Sequence, residues 1–421
     1  MATLTVYDTP VAAPVTGFWS RARKTGAVFV ALGVLAAVAF TALAPSGSAR
    51  FAFGETITGP GISVPAQAGA AGFGVLCVLA GVALLTGRAD RWLSWLLGLA
   101  LAALVLSFLA WQVAGRTMPL GNVGQLAVRA ALPLVFGALA GVLCERTGVI
   151  NVAIEGQLLT GAFAGALVGT LAGSVWVGLV AAAVGGLFIA LLLAVLAIRY
   201  LIDQVVLGVV LNLLALGLTG FLFTQLMQPY ADRYNEPSIF PVWRVPGLAD
   251  IPIVGPALFS GNVFTYLAIV LVVLVHVALF RTRWGLRTRA VGEHPTAADT
   301  VGIKVNLTRY RNVLLAGLVA GIGGASLTIG DVGGFNQNMT NGKGFIALAA
   351  LIFGRWSPVG ATMAALLFGF SQALADFLGN GSAIPSELLA MLPYLATIVA
   401  VAGLVGRVRA PAADGQPYVK G

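Results

Sequence analysis

Apolar runs of about 20 residues recur along the chain, and they constrain its fold more than any other feature. Twelve such runs extend over residues 26–44, 68–87, 92–114, 123–144, 155–173, 175–198, 204–226, 262–280, 310–329, 343–354, 358–378 and 387–405. About 20 apolar residues form a helix long enough to cross the roughly 30 Å hydrocarbon core of a bilayer. The sequence therefore predicts an all-α polytopic integral membrane protein with about twelve transmembrane helices.

Charged residues are scarce and unevenly distributed. They make up 9% of the chain, whereas a soluble domain carries about 25%, so a soluble enzyme, a nucleic-acid-binding domain and a disordered protein are excluded. If the N-terminus is cytoplasmic, 18 of the 24 Lys and Arg residues fall on the inner side and five on the outer side. By the positive-inside rule, this bias predicts that both termini are cytoplasmic.

Two loops between the apolar runs are unusually long. The predicted outer loop, residues 227–261, contains six prolines and several aromatic residues, which favours an ordered cap over the outer mouth. The predicted inner loop, residues 281–311, carries seven basic residues and is too polar to enter the bilayer. It is predicted to hold a short interfacial helix from Pro295 to Val301, because proline favours the first turn of a helix. Its basic flanks are expected to contact anionic membrane lipids.

The runs at 155–173 and 343–354 are the least secure spans, because Gly and polar residues interrupt them or the segments that lead into them. Broken hydrophobic segments at membrane depth require protein or a cavity to cover the backbone. Glycines spaced four residues apart, such as Gly137/Gly141, Gly161/Gly165 and Gly317/Gly321, predict close helix packing.

A first polar cluster lies at residues 145–157, where Glu145 and Arg146 are predicted to be interfacial charges. Asn151 and Glu155 are four residues apart and share a helix face, and Gln157 follows. Polar groups inside a membrane are costly and need a reason. Glu155 either begins a helix that lines the permeation path or fixes a broken helix, or it is a carboxylate satisfied by backbone N–H groups at a helix N-terminus.

A second polar cluster lies at residues 331–344 and faces outward in the predicted topology. Asp331, Asn336 and Asn341 offer a carboxylate and amides beside an aromatic residue, Phe335, which suits binding of polyols and bases. An ordinary polar turn is the alternative interpretation.

No sequence motif indicates catalysis by this chain. The G-x-x-x-x-G-K-[ST] phosphate loop, the H-E-x-x-H and G-x-S-x-G motifs and a His/Cys ligand cluster are all absent from the sequence. The chain is therefore predicted not to be an enzyme, and no metal or cofactor is expected. If ATP drives transport, its hydrolysis must take place on another chain.

Three strings of residues resemble a known family. They are E-R-T-G-V-I-N-V-A-I-E-G-Q at 145–157, A-V-G-E-H-P-T-A-A-D-T-V-G-I at 290–303, and the stretch from N-G-K-G-F-I-A-L-A-A to R-W-S-P-V-G at 341–360. Together they resemble ABC-importer permeases of the branched-chain amino acid/ribose/nucleoside group, most closely the nucleoside (simple sugar) permease subfamily. The resemblance covers about 120–405. Ala297, Ala298 and Gly302 keep the A-A-x-x-x-G spacing of the importer coupling motif, whereas Thr296 replaces its Glu.

The resemblance implies a multi-pass permease subunit of a bacterial plasma (inner) membrane importer, translocating a nucleoside or a simple sugar by alternating access. It implies three protein partners: an ATP-binding subunit, a homologous second permease and an extracellular solute-binding lipoprotein. ATPase coupling would fall on Gly292, Glu293, His294, Pro295, Ala297, Ala298 and Gly302. The substrate pathway would include Asn151, Glu155, Gln157, Asp331, Asn336 and Asn341.

The resulting domain plan has four parts. A cytoplasmic tail (1–25) precedes an extension with three transmembrane helices (26–118), the permease core (119–408) and a cytoplasmic C-terminal tail (409–421). An ion-coupled secondary transporter with Glu155 or Asp331 as its ion site is the rival prediction. A polytopic membrane enzyme is disfavoured because no catalytic constellation appears.

Overall fold

The computed structural model describes residues 21–86, 92–379, 388, 391 and 409–420. Within these residues, ten helices are long and apolar enough to cross a membrane. They are α1 (Ala22–Leu43), α2 (Ala66–Leu85), α3 (Trp95–Gln112), α4 (Leu120–Glu145), α5 (Ile154–Ala172), α6 (Val175–Arg199), α7 (Gln204–Met227), α10 (Val263–Arg281), α13 (Val305–Val332) and α15 (Pro358–Gly379). The predicted all-α polytopic membrane fold is confirmed.

The shorter elements lie between these helices. The remaining helices are α8 (Ala231–Tyr234), α9 (Val254–Phe259), α11 (Arg283–Glu293), α12 (Pro295–Thr300) and α14 (Lys343–Phe353). The strands are β1 (Ser48–Ala52), β2 (Gly61–Pro65), β3 (Thr117–Pro119), β4 (Trp243–Arg244) and β5 (Ser260–Gly261). The predicted run at 343–354 is thus an 11-residue helix, and the predicted run at 387–405 lies outside the described residues apart from 388 and 391.

The chain divides into two compact units. The first consists of Met1–Ala52 with Ile57–Met118, and the second of Phe53–Thr56 with Pro119–Gly421. In the first unit, α1 packs closely on α2, because a Cβ atom at Gly74 would lie 2.7 Å from the Ala37 Cα. Strands β1 and β2 form an antiparallel hairpin between these two helices.

In the second unit, helices α5, α6 and α13 meet at glycines. A Cβ atom on either Gly161 or Gly186 would lie 2.6 Å from the Gly321 Cα, closer than side chains permit. Only glycine allows these backbones to approach so closely. The predicted close packing at the four-residue glycine spacing is therefore confirmed.

Helix α14 is a short helix that begins level with the middle of α4. Its length of roughly 16 Å, at 1.5 Å per residue, is half of what a membrane span needs. It runs alongside the second half of α4, because Gly137 faces Ala347 and Gly141 faces Leu351. At the same residue offset, Lys343 lies level with Pro133, near the middle of α4.

Irregular backbone precedes both α14 and α5. Residues 146–153, the first irregular segment, lead into α5, and residues 333–342, the second irregular segment, lead into α14. These are the two regions where the sequence indicated broken spans. Such backbone is tolerated at membrane depth because surrounding protein covers it.

Candidate functional site

Glu155 joins the start of α5 to the start of α14. Its carboxylate is buried. Its Oε1 accepts a hydrogen bond from the Gly342 N–H at 2.9 Å, and its Oε2 accepts one from the Gly344 N–H at 2.6 Å. The first N–H groups of a helix have no partner within the helix, and they carry partial positive charge. The acid therefore caps α14 and holds the two helix starts together.

Asn151 and Gln157 pair with each other in the same region. Both side chains are fully buried. The Asn151 Nδ2 donates to the Gln157 Oε1 at 3.1 Å, and the Gln157 Nε2 donates to the Asn151 Oδ1 at 3.2 Å. Asn212 of α7 adds support, since its Oδ1 accepts from the Gly156 N–H at 2.8 Å. These amides are directed at one another and at backbone, and they do not line the cavity described next.

A cavity of about 570 Å³ lies beside the α14 N-terminus. Helices α4, α13, α14 and α15 and the second irregular segment form its wall. Its polar lining residues are Arg129, Asp331, Asn336, Asn341, Lys343, Gln372 and Asp376. We call this space the polar cavity. Three predicted pathway residues, Asp331, Asn336 and Asn341, line it, whereas Asn151, Glu155 and Gln157 do not.

The polar cavity combines both signs of charge with amides. Arg129 and Lys343 supply cationic donors, Asp331 supplies an acceptor, and Asp376 accepts a hydrogen bond from the Gln372 Nε2 at 2.9 Å. The sequence pattern assigns no role to Arg129 or to the Lys343 side chain, although a basic residue inside an apolar span is a usable signal.

The long loop at 227–261 contacts the second irregular segment at one edge of the polar cavity. The Asn235 Nδ2 donates to the Phe335 carbonyl at 2.9 Å, and the Asn235 Oδ1 accepts from the Phe335 N–H at 2.6 Å. The buried Phe335 ring packs edge-on against Phe163, with ring centroids 5.3 Å apart. Through Asn235 the loop contacts the second irregular segment next to Asn336.

At the opposite end of the unit, residues 290–303 form the predicted coupling segment. Helix α12 starts with Pro295 at its first turn, as predicted. Gly292 is buried against the first irregular segment, because a Cβ atom there would collide with the Arg146 carbonyl oxygen. Ala298 is buried as well. Glu293, His294, Ala297 and Gly302 are exposed, and Pro295 is half-buried.

The exposed part of the coupling segment borders a groove of about 580 Å³. Val301 is 75% exposed and Leu286 61% exposed at its edge. Basic side chains of Arg287, Lys304 and Arg311 line the same groove. The predicted coupling residues include Gly302 but not Val301, although an apolar residue in a polar loop was a signal for it.

Glu145, predicted to be an interfacial charge, is buried within the protein, with 3% of its surface exposed. Its Oε2 accepts a hydrogen bond from the Trp356 indole N–H at 2.6 Å. Arg146 in turn donates from Nε to the Trp356 carbonyl at 2.8 Å. The acid joins the end of α4 to the turn between α14 and α15, which accounts for its burial.

Residues 409–420, the tail segment, pack against the coupling segment. The Ala413 N–H donates to the Gly292 carbonyl at 2.9 Å, and the Ala412 N–H donates to the Glu293 Oε2 at 3.2 Å. Tyr418 is buried. Burial raises the pKa of Tyr418, and the nearby Asp299 carboxylate raises it further. The sequence predicts only a C-terminal tail here, although Tyr418 is a signal for packing.

A comparison of the chain with known families decides its class. Residues 125–402 match the family described as branched-chain amino acid transport system / permease component. The chain belongs to this permease family. The match begins after helices α1–α3, which lie outside it.

Three relatives show how similar this permease is to named proteins. It is 43% identical to guanosine ABC transporter permease protein NupQ of Bacillus subtilis, over 69% of this chain and 94% of NupQ. It is 40% identical to nucleoside ABC transporter permease protein NupC of Lactococcus lactis, over 68% of this chain and 93% of NupC. It is 27% identical to guanosine ABC transporter permease protein NupP of Bacillus subtilis, over 76% of this chain and 96% of NupP. No solved structure matches the chain.

Family membership establishes the class of function. The chain is a permease component of an ABC transporter, a transport subunit that works with ABC partner subunits. With its apolar helices, it is a multi-pass protein of the plasma membrane. The predicted family and class of function are confirmed, and the ion-coupled secondary transporter is not favoured.

Proposed function

We propose that this permease imports a nucleoside and that the polar cavity is its binding site, with a simple sugar as the second candidate substrate. The observation that carries the proposal is the similarity, at 43% and 40% identity, to permeases named for guanosine and for nucleosides. The polar cavity supports it, because its 570 Å³ lies within the 300–1,000 Å³ usual for small-molecule sites.

The side chains of the polar cavity match the hydrogen-bonding groups of a nucleoside. Asp331 is exposed and accepts hydrogen bonds only, which suits ribose hydroxyls or the N–H groups of a base. Asn336 and Asn341 each offer both a donor and an acceptor, which suits the edge of a purine. Arg129 and Lys343 would donate to carbonyl or hydroxyl oxygens. In the charge-derived orientation this cavity opens outward, beside the 227–261 loop where a solute-binding lipoprotein would dock.

The coupling segment is the proposed docking site of the ATPase subunit. Glu293, His294, Ala297, Val301 and Gly302 are exposed there, and Val301 offers an apolar anchor. Basic residues surround the adjoining groove. Such a short exposed helix with an apolar anchor suits insertion into a groove on a partner.

The second permease is proposed to be a different chain, which makes the translocation unit a heterodimer. Bacillus subtilis has two proteins named as guanosine permeases, NupQ and NupP. This chain is 43% identical to the first and 27% identical to the second. It therefore corresponds to the NupQ side of such a pair, and its partner would resemble NupP.

Uptake of labelled guanosine into cells or vesicles that carry the complete transporter tests the substrate. Asp331→Asn is expected to raise the apparent KM about tenfold, because a hydrogen bond to a charged group contributes about 1.5 kcal/mol or more. Asp203→Asn is the matched control and should change nothing, because this exposed acid lies outside the polar cavity and asparagine keeps its N-cap role at the start of α7. Uptake of a labelled pentose but not guanosine would overturn the nucleoside assignment.

Co-purification tests the coupling assignment separately. Ala297→Arg places a long charged side chain on the exposed face of α12 and should prevent recovery of the ATPase with the permease. Normal recovery and normal transport by this variant would show that the ATPase docks elsewhere. Uptake that persists without any ATPase would favour the secondary transporter instead.

A further inference from the structure

The tail segment contacts the start and the middle of the coupling segment. At the start, the Ala413 and Ala412 N–H groups donate to the Gly292 carbonyl and the Glu293 carboxylate. Tyr418 packs in one apolar cluster with Val291 and Ala298 of the coupling segment and with Val305, which follows it. The tail segment therefore covers the side of α12 that carries the buried Ala298, while the side that carries Ala297 stays exposed.

The tail segment also contacts the first irregular segment. Arg309 of α13 is buried between them, with 2% of its surface exposed. Its Nε donates to the Thr147 carbonyl at 3.2 Å and its Nη1 donates to the Gln416 carbonyl at 3.0 Å. A Cβ atom at Gly148 would lie 2.7 Å from the Ala413 carbonyl oxygen, so the two backbones touch.

These contacts complete a continuous path from the coupling segment to the polar cavity. The tail segment meets the first irregular segment, which leads directly into Glu155. Glu155 accepts hydrogen bonds from Gly342 and Gly344 at the N-terminus of α14. Asn341 and Lys343, the neighbours of these glycines, line the polar cavity. Coupling between distant sites is carried by packed and hydrogen-bonded contacts of this kind when they shift together.

We propose that the tail segment is a positioning element that ties α12 to the first irregular segment, with Tyr418 as its anchor, so that movement of the coupling segment reaches α14 and the polar cavity. The proposal rests on the proposed function, because it takes residues 290–303 as the site that the ATPase moves. The tail segment would contribute no ATPase contact of its own, and its loss would separate ATP hydrolysis from transport without preventing assembly.

The test is the number of guanosine molecules transported per ATP hydrolysed by the complete transporter in liposomes. Tyr418→Ala should lower this ratio at least about fivefold, the low end of typical coupling between sites, while the ATPase still co-purifies. Val419→Ala is the matched control, because Val419 is 69% exposed beside Tyr418. An unchanged ratio in Tyr418→Ala would overturn the proposal, since a purely structural role would alter the yield of the complex and not the ratio.

A milder variant decides the matter if Tyr418→Ala does not assemble. Tyr418→Leu keeps an apolar side chain in the cluster with Val291, Ala298 and Val305 but loses the aromatic ring, so it should lower the ratio by a smaller factor than Tyr418→Ala. A wild-type ratio in Tyr418→Leu would overturn the proposal.

Ala297→Arg separates this inference from the proposed function. If Ala297→Arg blocks ATPase recovery while Tyr418→Ala keeps the wild-type ratio, only the role of the tail segment is wrong. If Ala297→Arg leaves recovery and transport intact, the docking assignment itself fails.

Discussion

The two polar clusters of this permease have similar compositions and opposite environments. In the first, Asn151, Glu155 and Gln157 are buried, and their polar atoms bond to one another or to backbone. In the second, Asp331, Asn336 and Asn341 are exposed to the polar cavity. A polar residue between apolar runs can therefore cap the start of a helix inside the protein, or it can line a cavity that receives a substrate.

Replacing Glu155 should have the largest effect on stability. Glu155→Ala removes two hydrogen bonds to a charged acceptor and leaves the α14 N-terminus uncapped, so we expect a loss of roughly 3–6 kcal/mol. The thermal unfolding midpoint of the purified permease measures it. Glu155→Gln keeps an acceptor and should lose about half as much. If Glu155→Ala left the midpoint unchanged but abolished uptake, the two clusters would not differ in the way proposed.

Breaking the Asn151–Gln157 pair should have the next largest effect. Asn151→Leu leaves the buried Gln157 amide without its partner, which costs about 1–3 kcal/mol. The variant with both residues changed to Leu should lose less than the sum of the single variants, because no unpaired amide remains. Unfolding midpoints of the three variants provide the comparison. Additive losses would mean that the two amides act independently.

Much of this architecture was predictable because it depends on patterns that the sequence shows directly. Ten apolar runs form long helices within the described residues, and the interrupted run at 155–173 is one of them. The interrupted run at 343–354 forms the short helix α14, and both interrupted runs follow irregular backbone. Pro295 marked the start of α12 for a local reason, its fixed backbone angle. Hydrophobic length and local turn chemistry act over a few residues, so they can be read without knowing the fold.

The environments of single polar residues were not predictable in the same way. Glu155 accepts hydrogen bonds from backbone N–H groups that lie nearly 190 positions away in the chain. The sequence does not show that these groups come close to Glu155, so it could not decide between the two interpretations of this residue. Likewise, nothing near Tyr418 in the chain indicates that Val291 and Ala298 would cover its ring. Contacts of both kinds depend on tertiary packing, which the sequence alone does not reveal.

Exposed residues of the second cluster should affect transport without affecting stability. Asn336→Ala should change the free energy of unfolding by no more than about 0.5 kcal/mol, as for most surface substitutions. The apparent KM for guanosine should rise severalfold to about tenfold if one hydrogen bond is lost. Ser63→Ala, at an exposed position of β2, is a control outside the polar cavity. A large loss of stability in Asn336→Ala would place it with the first cluster.

Asn341 provides the test with the smallest expected effect. It belongs to the second cluster, and its neighbour Gly342 donates a hydrogen bond to Glu155 of the first cluster. It lines the polar cavity, and its backbone has a φ of 41°, a conformation that Asn tolerates better than most residues. Asn341→Gly should keep the backbone conformation and lose only the amide, so uptake should fall while the unfolding midpoint stays near that of the wild type. Asn341→Ala should lose the amide and also about 1 kcal/mol of stability, because alanine disfavours positive φ. Equal uptake in Asn341→Gly and the wild type would show that this position supports the backbone before α14 and does not contact the substrate.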